Sequence, residues 1–212
     1  MIFEHLVLGP LQCNAAIIGD ERTRDAIVLD GGDGVDEVIA ALERLRLHAR
    51  YLVHTHAHID HVGNLATLKE RTGATAMLHP ADLPLYANLA LQATWIGLTK
   101  VPRIAEVDAP LGDEQTIAIG DVNVAVRHTP GHTPGSVCFS LESAARPMLL
   151  SGDTLFAGSI GRWDLGGTSM EDIVASIRTK LLVLPDDTLV VPGHGPFTTI
   201  GRERAANPYL QL

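Results

Sequence analysis

The stretch Thr55-His56-Ala57-His58-Ile59-Asp60-His61 sets three imidazoles and a carboxylate within six positions. From this chain's own residue usage, H-x-H-x-D-H should arise by chance on the order of once in a thousand such sequences. Tyr51-Leu52-Val53-His54 before it is a short run of strand formers. Residues two apart on a strand or its extended exit face the same side, so His56 and His58 can converge on one ion. Asp60 and His61 are neighbours and cannot both join them from that face. A turn at Ile59-Asp60, followed by a helix from Val62 to Thr72 closed by Gly73, would swing this second pair toward a nearby point. One segment can thus supply ligands to two adjacent cations.

A single segment cannot complete two coordination shells, so further His or Asp are expected at the ends of later strands. His132 lies in Thr129-Pro130-Gly131-His132-Thr133-Pro134-Gly135, after the alternating strand Val122-Asn123-Val124-Ala125-Val126-Arg127. Asp153 follows the apolar run Pro147-Met148-Leu149-Leu150, and His194 follows Leu189-Val190-Val191. All three fall in strand exits dense in Gly and Pro, where backbone can approach an ion closely and a side chain can be aimed. The donors are all nitrogen and oxygen, a set that suits zinc, iron or manganese.

The 212 residues, 46% of them apolar, suffice for one well-packed domain and are short for two independent ones, so a single domain over residues 1–212 is expected. The formal charge of -9 is spread along the chain, and no Lys/Arg run is present to track a phosphate backbone. A small-molecule substrate is therefore expected rather than nucleic acid. Met1-Ile2-Phe3-Glu4-His5-Leu6 carries an acid and no basic lead, unlike a secretory signal. No run approaches the roughly eighteen apolar residues that cross a bilayer, so the expectation is a cytoplasmic protein that does not bind membranes. Cys13 and Cys138 lie far apart without a C-x-x-C pair and read as reduced, buried thiols, with a disulfide between them left open.

Residues 2 to 8, 15 to 18 and 26 to 29 suggest an antiparallel start to a sheet, broken at Asp30-Gly31-Gly32-Asp33-Gly34. Val35, Val38, Ile39, Leu42 and Leu45 recur at helical spacing and predict an amphipathic helix over 35–47. A strand over 74–78 ends at His79-Pro80. Residues 81 to 98 form a long apolar insert, read either as core packing or as a substrate-groove wall or subunit contact. Strands are expected near 115–119, 122–128, 137–141 and 147–150, then a second amphipathic helix over 170–182. Two halves, about 1–112 and 113–212, thus repeat one sheet-plus-helix plan. Of the other histidines, His5, His48, His54, His79 and His128 lack the strand-exit context. His54 shares the strand phase of His56 and is the first to reconsider.

T-H-A-H-I-D-H, then G-H-T-P-G-S, S-G-D-T-L-F and P-G-H-G-P, in this order over nearly the whole chain, resembles the metallo-β-lactamase superfamily. Within it, Asp153-Thr154-Leu155-Phe156, Gly158 to Arg162, Gly195 to Gly201 and Asn207-Pro208 look like the small single-domain glyoxalase II-like (hydroxyacylglutathione hydrolase-like) hydrolases. The resemblance implies an α/β fold, a four-layer αββα sandwich of two mixed β-sheets flanked by helices, with the metals at one edge between the sheets. It implies two divalent ions per chain, zinc first, with iron or manganese as alternatives. His56, His58 and His132 would hold one, Asp60, His61 and His194 the other, and Asp153 would bridge them, with Asp60 and Asp153 as catalytic carboxylates. Asp30 would brace the metal loop from behind.

The implied reaction is hydrolysis of a thioester such as S-D-lactoylglutathione to acid and thiol by a hydroxide bridging the metals. Arg162 stands where the larger glyoxalase II enzymes carry a Lys that helps hold glutathione, while Asp164 stands where they have a Tyr. The alternative is a persulfide dioxygenase with a single Fe on His56, His58 and His132. A β-lactamase, or another ester or lactone hydrolase, ranks after both. A monomer or small homo-oligomer is expected.

Overall fold

Apolar runs at the start of the chain pair into a meander in which β1 (Ile2–Leu8), β2 (Cys13–Gly19) and β3 (Asp25–Leu29) run antiparallel. The chain then crosses over through α1 (Val35–Leu45) to β4 (His48–Val53), and through α2 (Ile59–Val62) and α3 (Leu65–Thr72) to β5 (Thr75–Leu78). These crossovers make β3, β4 and β5 parallel, because parallel neighbours require a long connection. After α4 (Leu83–Ala87) and α5 (Leu89–Trp95), β6 (Ala109–Pro110) completes a six-stranded sheet in order β1-β2-β3-β4-β5-β6 among the described residues. Ile17, Val28, Leu42, Leu52, Leu65, Leu68, Leu78 and Leu89 are buried in its core.

A second six-stranded sheet has the order β14-β13-β10-β9-β8-β7. It comprises β7 (Thr116–Ile119), β8 (Val122–His128), β9 (Val137–Leu141), β10 (Met148–Gly152), β13 (Leu189–Pro192) and β14 (Thr198–Thr199). A two-stranded ribbon of β11 (Leu155–Phe156) and β12 (Ser159–Ile160) follows β10, and α6 (Met170–Ser176) and α7 (Ile200–Ala206) supply the helices. Strands β8 and β10 each run antiparallel to β9, and β13 is parallel to β10, so β8, β10 and β13 point the same way. Cys138, Leu149, Ile173, Ile177, Leu181, Val190 and Ile200 share this sheet's core.

This is a computed structural model, and it describes residues 1–141, 146–164 and 168–211. By internal contacts it divides into two compact units, Met1–Leu111 with Ala118–Val122, and Gly112–Ile117 with Asn123–Leu212. Among the described residues, no helix is long and apolar enough to cross a membrane. Cys13 and Cys138 are both buried, and no disulfide joins them among the described residues.

Three helices differ from the sequence pattern, each for a local reason. Helix α1 stops at Leu45 rather than at 47 because Arg46 turns left-handed (φ +54), which lets the Leu47 amide reach the Leu42 carbonyl and buries the Leu47 side chain. The helix expected from Val62 starts three residues later: the single turn of α2 ends at Val62, the Asn64 amide bonds to the Gly32 carbonyl at 2.8 Å, and α3 begins only at Leu65. The helix expected over 170–182 opens with a capping box between Ser169 and Asp172 and, after Ser176, widens into a π-helical turn, Ile177–Leu181. The 81–98 insert is split: Tyr86, Leu89 and Ala93 are core, whereas Leu83, Leu91, Trp95, Ile96 and Leu98 are exposed.

The turn from β2 to β3 is held by Asp20, whose carboxylate accepts from the Thr23 amide (2.6 Å), the Asp121 amide (3.1 Å), the Thr23 hydroxyl (3.0 Å) and the Arg22 amide (3.0 Å). Led by the Thr23 and Asp121 amides, these donors outweigh burial and hold its pKa down at about 2. A depressed carboxylate pKa adds stability that is fully present above the unfolded-state value, near 3.8, and disappears as pH falls toward 2. Asp20→Asn should therefore unfold at lower urea than the parent at pH 7, and the gap should close below about pH 3. A gap that persists undiminished at pH 2 would contradict this origin.

Candidate functional site

In the first unit the candidate donors leave the carboxyl ends of two parallel strands. β3 ends at Leu29 and β4 at Val53, and the Asp30 amide donates to the Val53 carbonyl at 3.1 Å, joining the two exits. Beyond them the His56 and His58 rings meet edge to face with centroids 4.8 Å apart, and His56 and His61 lie 4.1 Å apart at 50°. Asp60 Oδ2 is 3.5 Å from His61 Nε2.

Asp30 organises this group. It is fully buried, at φ +53, a left-handed conformation that Asp tolerates better than most residues. Its Oδ1 accepts the Thr55 amide at 2.8 Å, and its Oδ2 accepts the Thr55 hydroxyl at 2.7 Å and His61 Nδ1–H at 3.0 Å. The Thr55 oxygen in turn accepts from His56 Nδ1–H at 3.0 Å. Assigned from this network, both imidazoles carry their proton on Nδ1 and a lone pair on Nε2, the tautomer that an orienting carboxylate imposes on a metal-binding histidine.

The same carboxylates shape the field. Burial works against protonated His61, but the negative groups that face it, Cys13 first and then Asp30 and Asp60, outweigh that and raise its proton affinity well above the ordinary imidazole range. A field that favours a proton at this ring also favours a metal cation. Burial pushes the Cys13 thiol beside it up to about 11, against the pull of His61. Burial, against the pull of Asp30, lowers His54 to about 4, and its Nδ1–H donates to the His61 carbonyl at 3.0 Å, so His54 is a neutral brace of the loop. Gly32 lies so close that a Cβ there would collide with the His61 carbonyl oxygen.

In the second unit His132, Asp153 and His194 follow the ends of β8, β10 and β13, three strands that point the same way, and the Gly193 amide ties the latter two exits by donating to the Gly152 carbonyl at 2.7 Å. Asp153 Oδ2 lies 3.6 Å from His132 Nε2, and its Oδ1 lies 3.8 Å from His194 Nε2. His132 Nδ1–H donates to the Arg162 carbonyl at 2.7 Å, which leaves the Nε2 lone pair on the Asp153 side. The Thr133 amide donates to the Ser136 hydroxyl at 3.0 Å, which folds the G-H-T-P-G-S turn around His132.

The Arg162 carbonyl is itself set by a buried support. Glu203 of α7 accepts from the Gly158 amide (2.8 Å), the Thr198 hydroxyl (2.5 Å) and Asn207 Nδ2 (2.9 Å), while Asn207 Nδ2 also donates to the Ser159 carbonyl (3.0 Å). These bonds fix the β11–β12 ribbon that leads into Gly161, where a Cβ would collide with the Asp153 carbonyl oxygen.

The spacings within each half fit a cation. At 3.5 to 3.8 Å the Asp60–His61, Asp153–His132 and Asp153–His194 pairs are too long for good hydrogen bonds. Two donors about 2.1 Å from one tetrahedral ion would stand roughly 3.4 Å apart. The first unit thus brings together His56, His58, Asp60 and His61 over Asp30, and the second brings together His132, Asp153 and His194. The Arg162 guanidinium is exposed and grips Asp164 through two 3.0 Å bonds, so this residue reaches His132 through its backbone. Thr55, Asp82, Gln92 and Glu203 are supports that the sequence reading did not single out. Asp82 and Gln92, from the 81–98 insert, hydrogen-bond the backbone of Ala57 and Ile59.

Residues 8–194 match the family model of the metallo-β-lactamase superfamily. The chain is 35% identical to hydroxyacylglutathione hydrolase GloC of Haemophilus influenzae, over 99% of this chain and 98% of that protein. Among solved structures, the B3 metallo-β-lactamase BLEG-1 superposes with a TM-score of 0.90 at 36% identity, covering 100% of both chains. TTHA1623 in a di-iron-bound form superposes with a TM-score of 0.87 at 39% identity, covering 98% of this chain and 100% of that one. The two mixed sheets with their helices reproduce the fold of these relatives, as the motif resemblance implied. With a matched span that runs from the end of β1 to His194, the chain belongs to the metallo-β-lactamase superfamily of metal-dependent hydrolases.

Proposed function

We propose that the chain is a dinuclear metallohydrolase of the glyoxalase II type, which cleaves a thioester such as S-D-lactoylglutathione to a carboxylic acid and a thiol. The observation that carries this reading is Asp153, whose two oxygens face a different imidazole each, at 3.6 and 3.8 Å, the arrangement of a carboxylate that serves two ions. In this reading His56, His58 and His132 hold one divalent cation, Asp60, His61 and His194 the other, and Asp153 both. The di-iron form of TTHA1623 supports a metal pair, and whole-length identity with GloC supports the thioester. Zinc, iron and manganese all suit the nitrogen and oxygen donors.

When bound, such a pair would supply Lewis acidity and lower the pKa of a coordinated water toward about 7. The chain's own residues do the rest. Asp30 and Thr55 keep the Nε2 lone pairs of His61 and His56 available, and the Arg162 carbonyl does the same for His132. Asp60 is the carboxylate we assign to accept the proton of the attacking water. A thiol with a pKa near 8.5 leaves as the thiolate without prior protonation, which an amide nitrogen cannot do, so a thioester makes the smaller demand on this site. Arg162 would clamp a glutathione carboxylate by exchanging its Asp164 partner for the substrate. Likeness to BLEG-1 favours a lactam as the second substrate class.

Protein purified without chelator should hydrolyse S-D-lactoylglutathione with release of free thiol. Faster turnover of a β-lactam, or oxygen uptake with glutathione persulfide on a single iron, would replace the proposed reaction. Asp153→Ala should lower metal content and thioesterase activity together, the latter on the order of 100-fold or more; a fully metallated, active variant would remove Asp153 from the bridging role. Arg162→Ala should raise KM for glutathione thioesters several-fold more than for short neutral thioesters, whereas equal effects on both would take Arg162 out of the substrate site.

A further inference from the structure

His56, His58 and Asp60 alternate with Ala57 and Ile59, and their backbone lies beyond the end of β4, past the Val53 register at which its pairing with β3 and β5 stops. Buried amides and carbonyls there need partners from elsewhere. They find them in two side chains of the insert. The Ala57 amide donates to Asp82 Oδ2 at 2.9 Å, the Ile59 amide donates to Gln92 Oε1 at 3.0 Å, and the Ala57 carbonyl accepts from Gln92 Nε2 at 3.1 Å. Gln92 Nε2 donates also to the Leu85 carbonyl at 3.0 Å, which anchors the strut to the end of α4.

Gln92 is 3% exposed and Asp82 fully buried, on an insert whose Tyr86, Leu89 and Ala93 belong to the hydrophobic core. A helix that only packed there would carry Leu or Met at 92, since burying an amide costs free energy unless both of its ends are bonded. Both ends of Gln92 are bonded, and they span the peptides on either side of His58. Because one end accepts and the other donates, the strut fixes the orientation of those peptides as well as their distance.

We infer that Gln92, assisted by Asp82, is a positioning residue that sets the spacing at which His56, His58 and Asp60 are presented to a metal. The assignment rests on the metal-loop reading above and goes beyond it by placing control of ligand geometry on α5, more than thirty residues along the chain. Gln92→Met keeps size and removes all three bonds. Gln92→Glu keeps the acceptor for Ile59 and loses the donors to Ala57 and Leu85. Asp82→Asn keeps an acceptor for Ala57 and is the conservative control.

The test uses the full chain in two states. In metal-free protein, the Ile59 amide should exchange with deuterium at least tenfold faster in Gln92→Met than in the parent. With Co(II), Gln92→Met should raise the dissociation constant about 10- to 100-fold and shift the d–d absorption band, Gln92→Glu should fall between, and Asp82→Asn should stay near the parent. If Gln92→Met does not fold, Gln92→Glu carries both measurements. An unchanged Co(II) constant and band, even with a lowered melting temperature, would make Gln92 a core residue only and overturn the inference. If the parent itself fails to take up Co(II), the metal reading falls; unchanged Ile59 exchange would then overturn the strut separately.

Discussion

A carboxylate removed entirely from water is costly by several kcal/mol unless its charge is met by hydrogen bonds or cations. Asp30 meets that requirement with the Thr55 amide, the Thr55 hydroxyl and His61 Nδ1, all within 3.0 Å. These partners can reach it only because β3 and β4 are parallel neighbours whose carboxyl ends lie side by side, and because Asp30 accepts a left-handed φ at the first residue beyond β3. The energetic need of one buried charge thereby dictates the path of the chain from Thr55 to His61. The same bonds fix the tautomers of two imidazoles, so the demand of the fold and the demand of metal chemistry are met by one residue.

The second unit solves the same problem without a buried carboxylate on the histidine. A backbone carbonyl, that of Arg162, takes His132 Nδ1–H, and its position is inherited from a ribbon tied down by Glu203 and Asn207 of the last helix and its exit. In both units the candidate donors occupy strand exits, where loops tolerate irregular backbone, and the groups that orient them, Asp30, Thr55 and the Arg162 carbonyl, lie behind them at strand ends or on a loop held by the buried Glu203 and Asn207. This division explains why the supporting residues are buried while His58 and His194 retain some exposure.

The candidate donors stood out in the sequence because they are rare residue types at fixed spacing after apolar runs, a pattern that survives without knowledge of the fold. Strand positions were legible for the same reason, from β-branched and apolar runs bounded by Gly and Pro. The supports were not. Gln92 sits at a helical position whose neighbours are apolar, and nothing in the one-dimensional pattern distinguishes a buried, doubly bonded amide from an exposed one. Thr55 and Glu203 act through partners far away in the chain or through a geometry that only the folded backbone creates. The early end of α1 and the break before α3 depended on single amides diverted from the i→i−4 pattern, Leu47 five residues back to Leu42 and Asn64 across to Gly32, and periodicity does not register such local competition. Arg162 illustrates the opposite case: its side chain drew attention by its type, whereas its carbonyl is the group in contact with a candidate donor.

The proposed reaction requires a pair of cations held by donors from seven positions between His56 and His194. Anomalous scattering from crystals grown with zinc or iron tests this directly. The expected map has two peaks about 3.5 to 4 Å apart, one about 2.1 Å from the nitrogens of His56, His58 and His132, the other at the same range from Asp60, His61 and His194, with Asp153 reaching both. A single peak, or ions bound away from Asp153, would contradict it.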